Sequence, residues 1–220
     1  MMAGPDEQWD AVAFDWDMDG KAEVLLRGAN NMYVHTSTGH DIAIGNMNYY
    51  APRDQYTCVG DEFLLYLHGE TGEPYGWNGT QDTFTPMAYP LKRYENGESQ
   101  SLAVWGKDGD GGHRCTKHYF GAPYLDGERP SIFLGRGCYT RHKFTALDVN
   151  PSTHELTQRW YWSNNVGWCS PWYGNGYHNF AIQDVDMDGR DEIVFGSMVI
   201  DDNGKGLSTT GLGHGDAQHC

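Results

Sequence analysis

The hydrophobic positions of this chain fall in short runs rather than at helical spacing. Residues 24–26, 132–134 and 193–195 are continuous apolar segments, and each follows a turn that contains an Asp-Gly pair. Short apolar runs bounded by turn residues are typical of buried strands. Glycine is abundant, at 29 of 220 residues, and aromatic residues make up 14%. These features together predict an all-β protein with many turns.

The turns before two of these runs carry the same acidic pattern. Carboxylates occupy positions 1, 3, 5 and 9 of each loop, and glycine occupies position 6. The first set is Asp15, Asp17, Asp19 and Glu23, and the second is Asp184, Asp186, Asp188 and Glu192. Alternating carboxylates in a tight turn converge on a hard cation such as Ca²⁺. Position 12 is apolar (Leu26 and Phe195), so the pattern predicts calcium loops on β-structure rather than helical EF-hands.

A third copy of this turn-and-strand unit starts at Asp126-Gly127. It keeps the apolar strand but has lost the other carboxylates, so we expect it to bind no metal. Repeated small antiparallel sheets predict a β-propeller, whose blades are four-stranded sheets. We expect residues 1–220 to form about two and a half blades, with a long insertion at roughly 75–112. The last repeat breaks off in a loop, so the chain is expected to be part of a longer protein.

Charge and composition exclude several classes of function. The formal net charge is −15, and such a surface repels the phosphates of nucleic acids. No segment has the length of a membrane-spanning helix, and the first residues lack the features of a signal peptide. The five cysteines are widely spaced and include no CxxC pair, which disfavours a zinc ribbon. Scattered thiols or one disulfide remain as alternatives.

Several segments outside the Asp loops resemble a known family. They lie at residues 14–23, 120–127, 140–143, 172–179 and 196–219, and they resemble the family 11 polysaccharide lyases, the rhamnogalacturonan lyases. The resemblance implies an eight-bladed calcium-binding propeller that cleaves the rhamnogalacturonan I backbone of pectin in a cleft at one end. It implies that this chain corresponds to the N-terminal half at most, with the missing blades as its partner. It also implies a secreted or cell-surface location.

The resemblance places two Gly-rich loops in the cleft. His178 and His214 are the candidate proton acceptors, although an ordinary turn position is the alternative for each. Asp216, Asn179, Arg141 and Arg114 are the candidate substrate contacts, with a calcium ligand as the alternative for Asp216. For the two arginines, an ordinary solvated turn is the alternative to a uronate-binding site.

The implied reaction is β-elimination at a galacturonate. A base removes the proton at C5, and a cation or arginine on the neighbouring carboxylate stabilises the negative charge that develops. Calcium could bridge carboxylates of protein and substrate, and we expect the isolated chain to be inactive because half the cleft is absent. The alternative function is a non-catalytic, calcium-stabilised propeller that binds glycan or protein.

Overall fold

The computed structural model describes residues 11–50, 60–100, 102–105, 113–164 and 170–215. In chain order the strands are β1 (Ala11–Phe14), β2 (Glu23–Ala29), β3 (Met32–His35), β4 (Asp41–Ile44), β5 (Glu62–His68), β6 (Thr83–Phe84), β7 (Met87–Ala88), β8 (His118–Gly121), β9 (Ile132–Arg136), β10 (Lys143–Val149), β11 (Leu156–Ser163), β12 (Ala181–Gln183), β13 (Glu192–Phe195), β14 (Met198–Ile200) and β15 (Gly206–Thr209). Two 3₁₀ turns, Leu102–Trp105 and His113–Thr116, are the helical segments of these ranges. The all-β prediction is confirmed, and no described helix is long and apolar enough to span a bilayer.

The strands form three four-stranded antiparallel sheets. Their strand orders are β1-β2-β5-β7, β8-β9-β10-β11 and β12-β13-β14-β15, and they are called here the first, second and third sheets. The second and third sheets are simple meanders, in which each strand pairs with the next in sequence. Between β2 and β5 the first sheet adds a hairpin, and this hairpin joins β6 in a small sheet of order β3-β4-β6.

The second sheet is buried on both faces, which explains its continuous apolar runs. Ile132 and Leu134 of β9 pack in one cluster with strands of the first sheet. Phe133, between them, packs in another cluster with Ile193 and Phe195 of the third sheet. Because side chains alternate across a strand, both faces need apolar residues here. Burial of each such side chain contributes about 1.5–3 kcal/mol.

The small sheet covers the other face of the first sheet. Its residues Ile42 and Ile44 pack against Phe63, Leu65 and Leu67 of β5. Part of the predicted insertion at 75–112 belongs to this arrangement, since β6 lies in the small sheet and β7 is the last strand of the first sheet. The two-residue length of each strand explains why periodicity did not reveal them.

The turns of the three sheets lie at two opposite ends. The Asp15–Glu23 turn, the Asp184–Glu192 turn and the β10–β11 turn share one end, called here the metal-loop end. The connection between β9 and β10, residues 137–142, lies at the opposite end of the sheets, called here the basic end. The seven residues of β10 separate these ends by about 20 Å.

Candidate active site and metal loops

The first acidic loop is organised by its own carboxylates. Asp15 accepts backbone N–H bonds from Asp19 at 3.1 Å and from Gly20 at 3.0 Å. Asp17 accepts a second bond from the Asp19 N–H at 3.0 Å, and the Glu23 Oε2 accepts the Trp16 N–H at 2.9 Å. Gly20 has a φ of 90°, the left-handed conformation that favours glycine. The sequence pattern therefore encodes the turn as well as the acidic groups.

The second loop repeats these contacts nearly atom for atom. Asp184 accepts N–H bonds from Asp188 at 3.1 Å and Gly189 at 2.9 Å, and the Glu192 Oε2 accepts the Val185 N–H at 2.7 Å. The residue before Asp188, Met187, has a φ of 64°, against 62° for its counterpart in the first loop. Two segments about 170 residues apart have thus folded into one motif.

The carboxylates of both loops converge. Asp15, Asp17, Asp19 and Glu23 offer oxygens that lie within 4.8 Å of one another, and so do Asp184, Asp186 and Glu192. Asp188 accepts the Arg190 N–H at 2.9 Å, as Asp19 accepts the Lys21 N–H at 2.8 Å in the first loop. These hard oxygen donors, with the glutamate buried in each loop, fit the ligand preference of Ca²⁺. Calcium binding by the loops stays a prediction.

Burial raises the pKa of both buried glutamates. For Glu23 the neighbouring Asp17 charge adds to the effect of burial, and for Glu192 the charges of Asp186 and Asp184 do so. The bonds that each carboxylate accepts from backbone N–H groups act in the opposite direction without cancelling it. A bound cation would remove the repulsion that these groups share.

The third copy has a different partner for its aspartate. Asp126 accepts N–H bonds from Glu128 at 2.8 Å and Arg129 at 2.7 Å, and its other oxygen pairs with the Arg159 guanidinium at 3.3 Å. Arg159 also pairs with Asp148 at 2.8 Å. An arginine therefore supplies the positive charge beside this aspartate, and the expectation that this copy binds no metal stays a prediction.

At the basic end, His178 lies between a lysine and a tyrosine. The Lys117 Nζ is 3.2 Å from the His178 Nδ1, and the Tyr139 hydroxyl is 3.1 Å from the Nε2. The Cys138 sulfur is 4.0 Å from the Nδ1. Lys117 itself is buried. An ammonium group only donates, so Lys117 makes Nδ1 the acceptor, and the imidazole proton then sits on Nε2 and points to Tyr139.

His214 and Arg114 complete this group. The His214 ring lies 4.2 Å from the Tyr139 ring and 5.0 Å from the His178 ring, and its Nδ1 donates to the Gly176 carbonyl. The Arg114 guanidinium lies 4.5 Å from the centre of the Tyr139 ring, a cation–π contact. The structure thus brings together three predicted site residues, His178, His214 and Arg114, around a tyrosine that the sequence analysis did not select.

Beneath the cluster lies a third histidine, which is buried. His142 has a pKa of about 3, because burial and then the charge of His214 oppose its protonation. Its ring leaves no room for a Cβ at Gly176, where the added atom would overlap the Nε2. The glycine at position 176 therefore allows the backbone to approach the His142 imidazole closely. The Gly176 carbonyl, which accepts from His214, is held at the same place.

The remaining predicted residues occupy varied positions. Asn179 is exposed beside His178, and its Oδ1 accepts the Phe180 N–H at 2.8 Å. Arg141 is 2% exposed and pairs with Glu98, so its guanidinium holds the 92–98 segment rather than facing an open surface. Its role in substrate binding stays a prediction. Asp216 lies outside the described residues.

Basic side chains concentrate at this end of the sheets. Those that are buried are Arg27, Lys117, Arg136, Arg141 and Lys143. Glu62 accepts from Arg27 at 3.3 Å, Arg93 at 3.1 Å and Arg136 at 2.7 Å. Lys143 pairs with Glu95 at 3.1 Å and Glu98 at 3.2 Å. In a chain of net charge −15, this end therefore gathers cations together with the glutamates that pair with them, whereas the metal-loop end carries the two acidic loops.

The sequence analysis missed Lys117 and Tyr139 because neither belongs to a spaced motif. One local signal was present for Tyr139, which follows Gly137-Cys138 in a turn. Its φ is 66°, a conformation that non-glycine residues rarely adopt and that often marks functional sites. Cys138 and Cys115 are both buried and form no disulfide, and the other three cysteines lie outside the described residues.

Comparison with known proteins identifies the family. A family model described as "Rhamnogalacturonan lyase family 11, C-terminal domain" matches residues 6–220. The chain belongs to this family. It is 37% identical to the rhamnogalacturonan exolyase YesX and 34% identical to the endolyase YesW, both of Bacillus subtilis (strain 168). Each alignment covers 94% of this chain and 30% of the relative.

Solved structures agree with this family 11 assignment. The exotype rhamnogalacturonan lyase YesX superimposes with a TM-score of 0.77 at 35% identity, covering 96% of this chain and 31% of that one. A Bacillus licheniformis rhamnogalacturonan lyase gives 0.77 at 33% identity, covering 96% and 32%. The chain therefore spans about 30% of the length of its curated relatives. The family model that it matches is the one for the C-terminal domain, so the predicted position in the N-terminal half of the family fold is not supported.

Proposed function

We propose that this chain forms part of a lyase that cleaves the rhamnose–galacturonate backbone of rhamnogalacturonan I by β-elimination. The reaction needs a base at the C5 proton and positive charge at the uronate carboxylate. The C5–H bond breaks, a C4=C5 double bond forms, and the C4–O bond to rhamnose breaks with its electron pair on oxygen. The product has a 4,5-unsaturated sugar at its new end.

The observation that carries the proposal is the contact series from Lys117 through His178 to Tyr139. With the histidine proton on Nε2, the imidazole donates to the Tyr139 oxygen at 3.1 Å. Arg114 lies over the same ring at 4.5 Å. A hydrogen bond to the oxygen and a cation at the ring both stabilise negative charge on the phenol. We therefore assign Tyr139 as the proton acceptor and His178 as the residue that positions it.

The charge distribution supports an anionic substrate at this end. The basic end carries Arg114 and the buried cations, whereas the acidic loops lie about 20 Å away along β10. A field of this polarity attracts a uronate to one end of the molecule despite the overall charge of −15. Arg114 is the described arginine best placed to meet the carboxylate, and Asn179 and His214 border the same space.

The same distance argues for a structural role of the loop ions. We propose that Ca²⁺ bound by the two loops holds the turns of the first and third sheets and does not bridge protein and substrate. In the first loop, Asp17 also pairs with His154 of the β10–β11 turn at 2.9 Å, so this loop is tied to the second sheet. When bound, the ion supplies charge neutralisation at the metal-loop end.

We further propose that the three four-stranded sheets are blades of a larger propeller. Support comes from the meander topology of the second and third sheets and from the clusters that pack the second sheet between its two neighbours. The relatives are about three times as long, so the remaining blades and part of the cleft would come from further chain. Activity of this chain alone is therefore expected to be low. A secreted or cell-surface location belongs to the same proposal.

A chimera tests the function directly. This chain replaces the matching segment of YesX, and ultraviolet absorbance records unsaturated uronate released from rhamnogalacturonan I. We expect turnover by the chimera and little from the chain alone. A folded chimera that binds the polysaccharide but releases no unsaturated product would contradict the lyase assignment and favour the alternative, a non-catalytic glycan-binding propeller.

A further inference from the structure

A cavity of about 400 Å³ lies between the first and second sheets, beside the β10–β11 turn of the metal-loop end. It forms where the edge of the first sheet is interrupted. The chain pairs with β5 at Pro74 and Tyr75, departs to form β6 of the small sheet, and returns to β5 as β7. In the second sheet, the edge strand β11 is instead a single strand of eight residues. The volume lies within the range of about 300–1,000 Å³ that is typical of small-molecule sites.

The inner wall of the cavity is apolar. Leu64 and Tyr66 of β5 line it, and both belong to the buried cluster between the two sheets. Leu156, at the start of β11, packs against the same cluster. Phe84 and Met87 also line the cavity, and Met87 is 43% exposed. A ligand with an apolar surface would remove these side chains from water and gain hydrophobic stabilisation.

The cavity is held open by contacts between distant elements. The His154 ring stacks on the Tyr75 ring, with centres 4.2 Å apart and planes at 20°. Tyr75 in turn lies 4.7 Å from the Tyr66 ring, and His154 pairs with Asp17 of the first loop at 2.9 Å. The first loop, the first sheet and the β10–β11 turn are therefore fixed to one another. A pre-formed site of this kind loses little conformational entropy when it binds.

Polar groups of the β10–β11 turn border the cavity. Thr153 and Glu155 both line it, and both are exposed. His154, between them, is engaged with Asp17, whereas in the described part of the chain no side chain donates to the Glu155 carboxylate. A carboxylate accepts hydrogen bonds, and a threonine hydroxyl both donates and accepts. The cavity thus combines an apolar wall with groups that suit a ligand rich in hydroxyl groups.

The surrounding charges select a neutral ligand. The charges of Glu23, Asp17 and Asp19 act on the cavity wall, where they add to burial in raising the pKa of Tyr75 to about 12. With one divalent ion bound, the four carboxylates of the first loop would still carry a charge of −2, and Glu155 adds a further −1. A uronate carboxylate placed here would be repelled.

We propose that this cavity binds a neutral sugar unit of a polysaccharide. The apolar C–H face of the sugar ring would lie against Phe84 and Leu156, and its hydroxyl groups would meet Thr153 and Glu155. The inference rests on the proposed function for the polysaccharide class of the ligand. It adds a second site, because the length of β10, about 20 Å, separates the β10–β11 turn from Tyr139. This site would hold the polysaccharide without taking part in the elimination.

Two disaccharides distinguish the cavity from the site at the basic end. α-1,4-Galactobiose is the neutral counterpart of α-1,4-digalacturonate, in which a carboxylate replaces the CH₂OH group of each ring. Saturation-transfer difference NMR on the YesX chimera measures the Kd of each disaccharide and identifies the sugar protons that contact the protein. We expect galactobiose to bind, with saturation of its ring C–H protons, and changes in the cavity to affect galactobiose but not digalacturonate.

Two variants alter the two sides of the cavity. Phe84→Ala removes part of the apolar wall and should raise the galactobiose Kd about 2–10-fold. Glu155→Gln replaces a charged acceptor with a neutral one and should raise it about 5-fold. Because Glu155 is exposed, its replacement leaves the fold intact, and the melting temperature checks this for both variants. Glu70→Gln, an exposed carboxylate outside the cavity, is the matched control and should change neither Kd.

The outcomes are separate from those of the lyase assignment. A galactobiose Kd unchanged in both cavity variants, or no saturation of galactobiose at all, would overturn the proposal. A digalacturonate Kd that rises together with the galactobiose Kd in Phe84→Ala would show that the cavity takes uronates and would contradict the neutral class. A chimera without turnover that binds galactobiose in the cavity would refute the lyase assignment alone. An active chimera that does not bind galactobiose would refute the second site alone.

Discussion

The buried carboxylate of Glu62 gives a quantitative test of the charge network at the basic end. Its side chain is 6% exposed and accepts from Arg27, Arg93 and Arg136 at 2.7–3.3 Å. Burial alone would raise the pKa of Glu62, but the charges of Arg136, Arg93 and Arg27 outweigh it and lower the pKa from the ordinary 4.5. The ionised form is therefore the one that the fold stabilises.

Glu62→Gln keeps the shape and removes the charge. Three guanidinium groups would then surround a neutral amide, and breaking a buried ion pair in this way costs about 3–5 kcal/mol. For a chain of this size each kcal/mol lowers the Tm by about 2–4 °C, so we expect a fall of about 6–20 °C. Glu70→Gln is the matched control, because its partner Lys21 is exposed and such surface pairs contribute about 0–1 kcal/mol.

Urea and thermal unfolding measure the difference in stability between Glu62→Gln and the unmodified chain. Its dependence on pH tests the direction of the pKa shift. A carboxyl group with a lowered pKa in the fold stabilises the protein above its unfolded pKa, so the full difference between Glu62→Gln and the unmodified chain should be present above 4.5. The difference should shrink as the pH falls through the lower, folded pKa. A loss below about 1 kcal/mol at neutral pH, equal to that of the surface control, would refute the reasoning.

Three further predictions address the site and the loops. In the chimera, Lys117→Met removes a charge-assisted hydrogen bond to His178 and should lower kcat about 10–100-fold; an unchanged kcat would contradict the contact series. Gly176→Ala forces the backbone away from His142 and should cost about 1–3 kcal/mol in urea unfolding, whereas an unaffected stability would mean that the loop relaxes freely. A chelator should lower the Tm of the unmodified chain, and Asp15→Asn should reduce that fall in Tm, which calorimetry can measure. An equal fall in the variant and in the unmodified chain would show that the first loop holds no ion.

The parts of the fold that were predictable depend on local patterns. The turn at Asp15 and its repeat at Asp184 carry ligands, glycine and strand within a dozen residues, so the sequence alone specifies them. The apolar runs of β2, β9 and β13 likewise need burial wherever they lie. Their grouping into sheets followed from the repeat of the unit.

The parts that were not predictable depend on contacts between distant residues. Lys117 and His178 are 61 positions apart, and Tyr139 lies between them in a turn without a spaced motif. Glu62 reads in sequence as an ordinary charged residue at the start of a strand, and only the fold surrounds it with three arginines. The role of His154 was hidden for the same reason, because its partner Asp17 is 137 positions away.

The measurement that tests the central claim most directly is the rate of unsaturated uronate release by the chimera with Tyr139→Phe. Tyr139→Phe removes the oxygen that we propose to accept the C5 proton as a phenolate, so it should lower kcat by about 10²–10⁴ while the KM changes little. Tyr33→Phe, at an exposed tyrosine of the small sheet, is the matched control and should retain full activity. A Tyr139→Phe chimera as active as this control would show that the chemistry does not take place at the Lys117–His178–Tyr139 series.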